Sequence, residues 1–193
     1  MNKSTNPKNK DYTNRDIVII AVYQLGGVLR HIHLEDVAMK AAELSPRRFC
    51  WKKYPEQINL ESVRITLKGE LGLPNRRVSG SIRDGWMLTP DGLSWCLTTA
   101  SGGDNKTLLD ELRLEINRAK KTAAFSKSIS GRAEEVSVIE VEALLRVNDY
   151  FTARDRRERI LALANAAVLD SQLSLVLTNL RKQGFNELEV KNE

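Results

Sequence analysis

The stretch 76–96, RRVSGSIRDGWMLTPDGLSWC, constrains the fold more than any other part of this chain of 193 residues. Two short runs of apolar and small residues flank Arg83-Asp84-Gly85, which is typical turn chemistry, so the stretch predicts a β-hairpin. Thr89 stands where a helix N-cap belongs, Pro90 suits a first helical turn, and Asp91 places negative charge near the positive end of the helix. The sequence therefore predicts a basic hairpin that leads directly into a capped helix.

Helical periodicity precedes this hairpin. The spacing of apolar residues predicts helices over residues 14–25, with Asn14 as the cap, and over 34–44, with a short strand at 28–33 between them. A third helix is predicted from the cap Asn59 to residue 71. Its predicted buried stripe is Leu60, Val63, Leu67 and Leu71. Between the second and third helices lies a basic and aromatic connector, RRFCWKKYPEQ, at residues 47–57.

The texture of the chain changes after Ser101-Gly102-Gly103, a small, polar stretch that is typical of a linker. Beyond it the periodicity predicts three long helices, over residues 105–126, with Asp104 as the cap, over 132–147 and over 152–183. The last of these is apolar almost all the way round, which indicates burial in a bundle or an interface. The predicted organisation is a flexible tail (1–13), a first domain (14–100), a helical dimerisation or partner-binding region (104–184) and a C-terminal tail (185–193).

The element order over residues 14–100 resembles the winged helix-turn-helix family. The residues that carry the resemblance are the second-helix start at 33–38, the third helix at 59–71 and the segment GWMLTPDG at 85–92. The predicted fold class is therefore mainly α with a small β-hairpin, a winged helix-turn-helix domain followed by a helical, bundle-like or coiled-coil-like region. The connector is longer than the usual turn of that family.

The resemblance implies that the third helix enters the major groove of duplex DNA, while the hairpin lies along a minor groove or the backbone. Residues 1–100 hold 15 Lys and Arg against 10 Asp and Glu, and residues 101–193 hold 15 against 15, so the excess charge of +5 lies in the first half. Such a surplus suits phosphate contacts. The predicted DNA-binding residues are Arg47, Arg48, Lys52, Lys53, Arg64, Lys68, Arg76, Arg77 and Arg83.

Two functions follow from these features. The first is a transcriptional-regulator-like DNA-binding protein that oligomerises, as a dimer for instance, through its C-terminal helices. The alternative is a non-catalytic adaptor subunit of a larger DNA-acting complex, for example in bacterial antiviral defence with an ATPase or nuclease partner. There the winged helix and the C-terminal helices would dock on protein.

The remaining candidate sites are weak. Phe49, Trp51 and Tyr54 could stack on bases, but aromatic residues near a loop more often anchor that loop to the core, which is the expectation here. His31 and His33 lack further metal ligands, and Cys50 and Cys96 suit small core residues. We therefore expect no enzyme activity, no cofactor and no metal. The polar N-terminus and the lack of a long apolar run predict a cytoplasmic protein without a membrane segment.

Overall fold

The computed structural model describes residues 12–99 and 106–185. Helix α1 (Asn14–Gln24) lies at the centre, because every residue from Ile17 to Tyr23 is buried. Its N-cap is Thr13 and not the predicted Asn14: the Thr13 hydroxyl accepts the Asp16 N–H, and the Asp16 carboxylate accepts the Thr13 N–H. This reciprocal capping box fixes the start of the helix one residue earlier than the sequence pattern suggested.

Helices α2 (Leu34–Leu44), α3 (Pro46–Phe49) and α4 (Leu60–Leu71) follow in chain order. The predicted strand at 28–33 is wrong: only Ile32 pairs with the hairpin, through two backbone hydrogen bonds to Trp86 of 2.9 and 2.8 Å. Residues 25–29 form turns, around Gly26 and Gly27, that connect α1 to Ile32. Asn59 caps α4 as predicted, with its side chain accepting the Ser62 N–H at 3.1 Å. Of the predicted stripe on α4, Val63 and Leu67 are fully buried, whereas Leu60 is exposed.

The predicted hairpin and its capped helix are confirmed. Strand β1 (Val78–Ser81) pairs antiparallel with β2 (Gly85–Leu88), and α5 (Pro90–Thr99) follows at once. The Thr89 hydroxyl accepts the Gly92 N–H at 3.1 Å and donates to the Arg76 carbonyl at 2.7 Å, so one side chain both caps α5 and ties it to the base of the hairpin. Gly85 adopts φ +90°, a turn conformation that favours glycine.

The second half contains more and shorter helices than predicted. They are α6 (Lys106–Ala119), α7 (Ala123–Ile129), α8 (Val138–Leu145), α9 (Ala153–Ala167) and α10 (Ser171–Lys182), with a 3-10 turn at Ala133–Glu135. The predicted helices over 105–126 and 152–183 are each split in two. The side chains of Thr122 and Asp170 accept backbone N–H groups of Phe125 and Leu173 and start new helices there. The predicted boundary at 101–103 and the cap Asp104 lie outside the described residues.

Helix α9 packs against the hairpin and joins the two halves through a shared core. All four residues of β2 are buried, and Met87 packs against Leu161 and Ala162 of α9. The buried Asn165 of α9 donates from Nδ2 to the carbonyls of Val28 and Leu88, at 2.8 and 2.9 Å. The apolar residues of α9 from Ile160 to Ala166, and Leu173, Val176, Leu177 and Leu180 of α10, are thus buried within the chain itself, whereas Leu175 of α10 is exposed. None of the helices in the described ranges 12–99 and 106–185 is long and apolar enough to cross a bilayer.

Candidate nucleic-acid interface

The segment from α3 through the connector carries four of the predicted DNA-binding residues on its surface. Phe49 is fully buried and anchors α3 beneath α2, while the Asn59 N–H donates to the Phe49 carbonyl at 2.7 Å. Because that anchor points inward, the basic side chains around it are left at the surface. Arg47, Arg48, Lys52 and Lys53 are all exposed. The Arg48 guanidinium also donates to the Tyr12 carbonyl, which holds it against the start of α1.

Helix α4 presents a less positive outer face than the sequence suggested. Lys68 is exposed, but Arg64 is half-buried and donates two hydrogen bonds to the Glu61 carboxylate one turn earlier. These bonds lower the pKa of Glu61 and raise the pKa of Arg64. Arg64 is therefore neutralised by its own helix, and Lys68 supplies the net charge of this face.

Arg77 is part of an internal ion cluster. Its Nε donates to the Glu70 carboxylate at 2.9 Å and its Nη1 donates to Asp16 at 2.8 Å, and its guanidinium lies 4.5 Å from the ring centre of Trp95. Glu70 is fully buried, and it also pairs with Arg15 at 3.3 Å. Burial lowers the pKa of Arg77, but the hydrogen bonds to Glu70 and Asp16 outweigh it and the net pKa is raised. The sequence predicted that Arg77 binds DNA phosphate. In the structure its guanidinium instead binds the carboxylates of Glu70 and Asp16.

The other two hairpin arginines lie at opposite ends of the hairpin. Arg76 sits at the base, half-buried, and burial lowers its pKa. Arg83 is exposed at the tip. The next residue, Asp84, accepts from the Ser81 hydroxyl at 3.1 Å and lies 4.0 Å from Arg157 of α9. Asp84 at the tip thus faces the start of α9, which is rich in arginine, and Arg83 is its neighbour in the chain.

Two contacts between the halves were missed in the sequence. His31 Nδ1 lies 2.8 Å from the Glu158 carboxylate, and the His31 backbone N–H donates to the same oxygen at 3.1 Å. Hydrogen bonding to His31 lowers the pKa of Glu158. His33, by contrast, is exposed and precedes α2. His31 and His33 therefore have different roles: His31 contacts α9, and His33 lies at the start of α2. The contact of His31 could not be predicted from the sequence, because Glu158 is 127 residues away in the chain.

The two cysteines have a structural explanation. Both cysteines are free, and burial raises the pKa of the Cys96 thiol to about 12, as suits a core residue.

A cleft of about 410 Å³ lies between α6 and α9, with Arg118, Arg146 and Arg159 on its walls. Arg118 is held by Glu115 and by the carbonyls of Ala143 and Leu144, so it closes the end of α8. Within the described ranges, no group of three or more metal-ligating side chains converges.

Comparison with protein-family models, with curated proteins and with solved structures found no match to this chain. The resemblance to winged helices therefore stays a prediction that depends on the order of α1, α2, α4 and the hairpin. The mainly helical architecture with one small antiparallel hairpin is shown by the structure itself.

Proposed function

We propose that this protein binds duplex DNA through α3, the connector, α4 and the ends of the hairpin, as a cytoplasmic, transcriptional-regulator-like protein. One observation carries the proposal. Of the nine predicted contact residues, Arg64 and Arg77 are paired with carboxylates, and the other seven have no carboxylate partner in the described part of the chain. Cations without a carboxylate partner are available to phosphates, and such contacts supply affinity rather than sequence choice. The seven that remain are Arg47, Arg48, Lys52, Lys53, Lys68, Arg76 and Arg83.

The salt dependence of binding tests the proposal. If about five of the seven residues contact phosphate, the logarithm of the association constant for random duplex falls with the logarithm of salt concentration with a slope of roughly −4.5. Fluorescence anisotropy with a labelled duplex, titrated at several salt concentrations starting near about 50 mM, measures that slope. An absence of binding at the lowest salt concentration would end the proposal.

A charge-matched pair of variants locates the surface. Replacing Arg47, Arg48, Lys52 and Lys53 with alanine removes four cations from the proposed surface. The control replaces four exposed cations of the second half, Lys106, Arg113, Lys121 and Lys182. Because both variants lose the same net charge, a local surface predicts a shallower salt slope only for the first. If both variants lost the same affinity for duplex, the loss would follow from the overall charge of the protein and not from a local binding surface.

The adaptor alternative has its own support in the structure. Leu114 of α6 is 69% exposed, and Val138 and Ile139 of α8 are 62% and 76% exposed. Val138 and Ile139 are neighbours at the start of α8, and two adjacent exposed apolar side chains suit a surface that docks on another subunit. Light scattering on the purified chain tests this. A monodisperse dimer supports the regulator, and a chain that aggregates unless co-expressed with a partner supports the adaptor.

A further inference from the structure

Two aromatic side chains of the connector are exposed, although the sequence favoured burial for them. Trp51 is 52% exposed and Tyr54 is 56% exposed, while Phe49 alone of the three connector aromatics is buried. Phe49 already fixes α3 to the core, so the other two rings are not needed as anchors. A half-exposed tryptophan beside a half-exposed tyrosine points to a binding surface rather than to packing.

The loop that carries these rings is ordered by its backbone. The Trp51 N–H donates to the Gln57 carbonyl at 3.0 Å, and the Gln57 N–H donates to the Tyr54 carbonyl at 2.9 Å. Cys50 and Ile58 pair as a single antiparallel bridge just outside it. Both rings therefore project from a closed loop whose shape depends on main-chain bonds. Substituting either side chain leaves those bonds in place.

The charges around the rings are mainly positive. The segment 46–58 contains four basic residues and one acid, Glu56, so its net charge is +3. Arg47 and Arg48 precede Trp51, and Lys52 and Lys53 stand between the two rings. Alternation of exposed aromatic and basic side chains is the pattern by which proteins hold single-stranded nucleic acid, with bases on the rings and phosphates on the cations.

We propose that the connector binds unpaired bases, with Trp51 and Tyr54 stacking on bases of a single-stranded segment while the flanking cations contact its phosphates. The inference deepens the proposed DNA-binding function and rests on it. Bases within a duplex are stacked on each other and leave no face free for a side chain. The preferred ligand is consequently a duplex that continues into a single strand, with α4 and the hairpin on the duplex, the connector cations on phosphates on both sides of the junction, and the two rings on the overhang.

The test compares three fluorescein-labelled ligands in anisotropy titrations: a blunt duplex, the same duplex with a single-stranded thymidine overhang, and the thymidine strand alone. The overhang offers two bases to the two rings, and stacking of each base by an aromatic side chain raises affinity about 5- to 150-fold. Trp51→Ala and Tyr54→Ala should each remove a gain of that size for the overhang ligand and leave the affinity for blunt duplex unchanged. Tyr150→Ala is the matched control, because Tyr150 is 94% exposed and lies far along the chain, before α9.

Intrinsic fluorescence gives a second readout. Trp86 is 1% exposed and Trp95 is half-buried, so quenching by the unlabelled thymidine strand reports mainly on Trp51. Trp51→Phe should keep most of the affinity for the overhang and lose the quenching, since phenylalanine still offers a ring. Circular dichroism melts of the variants should match the parent chain, because neither ring is packed in the core.

The outcomes separate the two proposals. Equal affinity for blunt and overhang duplexes, together with unchanged binding by Trp51→Ala, overturns stacking and leaves duplex binding in place. A failure of all three ligands to bind overturns both. If instead only a polyglutamate peptide binds, and Trp51→Ala weakens it, the connector is a docking surface for an acidic protein and the stacking proposal is wrong.

Discussion

Replacing Arg77 with alanine should destabilise the protein strongly while leaving its affinity for duplex DNA unchanged. In the folded chain the guanidinium is 15% exposed and holds the buried Glu70 and the partly exposed Asp16 at 2.9 and 2.8 Å. Without Arg77, Glu70 keeps only the Arg15 side chain and the backbone N–H of residue 77. Arg15 is 43% exposed, so it compensates the buried carboxylate poorly.

The expected cost follows from the burial of Glu70. Removing one partner of a buried ion pair costs about 3–5 kcal/mol, because the other charge stays buried without compensation. Since the ion pair with Arg15 survives, we expect a value near the lower end, about 3 kcal/mol. The figure of about 3 kcal/mol includes the lost contact between the Arg77 guanidinium and the Trp95 ring. Such a contact contributes about 0.5–1 kcal/mol at an exposed site.

Urea unfolding and anisotropy together measure the two effects. With a slope of about 2 kcal/mol per molar urea, the midpoint should fall by about 1.5 M. Combining Arg77→Ala with Glu70→Leu should cost less than the sum of the two single variants, by about 2 kcal/mol, because the double variant leaves no buried charge behind. Arg83→Ala is the comparison for DNA binding, as Arg83 is exposed at the hairpin tip.

The reasoning is refuted if Arg77→Ala lowers the free energy of unfolding by less than about 1 kcal/mol, the range of an exposed ion pair. It is equally refuted if folded Arg77→Ala loses as much affinity for duplex DNA as Arg83→Ala does, because Arg77 would then contact phosphate as the sequence suggested.

Two further predictions concern stability. A methyl group at Gly92 would lie 2.0 Å from the Arg77 carbonyl, so Gly92→Ala should lower the free energy of unfolding by about 1–3 kcal/mol or more. Gly69→Ala, in open space within α4, should instead raise the free energy of unfolding by about 1 kcal/mol. Thermal melts of both variants measure this difference. The pKa of Glu158 is lowered, chiefly by His31, below its ordinary 4.5. Its contribution to stability is therefore complete above pH 4.5 and is lost as pH falls through the folded-state value. Glu158→Gln should remove that part of the acid sensitivity, and urea midpoints at about pH 6 and about pH 3 should then differ less than in the parent chain.

The features that the sequence predicted correctly have local causes. The turn at Arg83-Asp84-Gly85 and the Thr89 cap each depend on residues within a few positions, so their pattern was sufficient for the hairpin and α5. The two split helices show where local information misleads. Thr122 and Asp170 are tolerated inside a helix as well as favoured at its start, and the apolar spacing continues across both breaks.

The candidate site was harder to predict, because its members differ in what they meet after folding. The sequence pattern treats Arg76 and Arg77 alike, yet only Arg77 reaches Glu70, across the turn between α4 and β1. Likewise nothing in the connector distinguishes Phe49, which is buried, from Trp51, which is exposed. Burial is decided by the neighbouring helices, and these lie beyond the range of spacing arguments.

The packing of α9 on the hairpin decides where a nucleic acid can be held. All four residues of β2 are buried, so on the hairpin the proposed DNA-binding surface is limited to the partly exposed strand β1 and the two ends, with Arg76 at the base and Arg83 at the tip. The strand between them spans roughly 13 Å, at about 3.3 Å per residue. At physiological salt the screening length is about 8 Å, so the two arginines act on separate phosphates and do not reinforce each other. The four cations of α3 and the connector form two pairs of adjacent residues, Arg47 with Arg48 and Lys52 with Lys53, and each pair can lie within one screening length. Loss of the connector charges should therefore reduce affinity more per residue than loss of the hairpin charges.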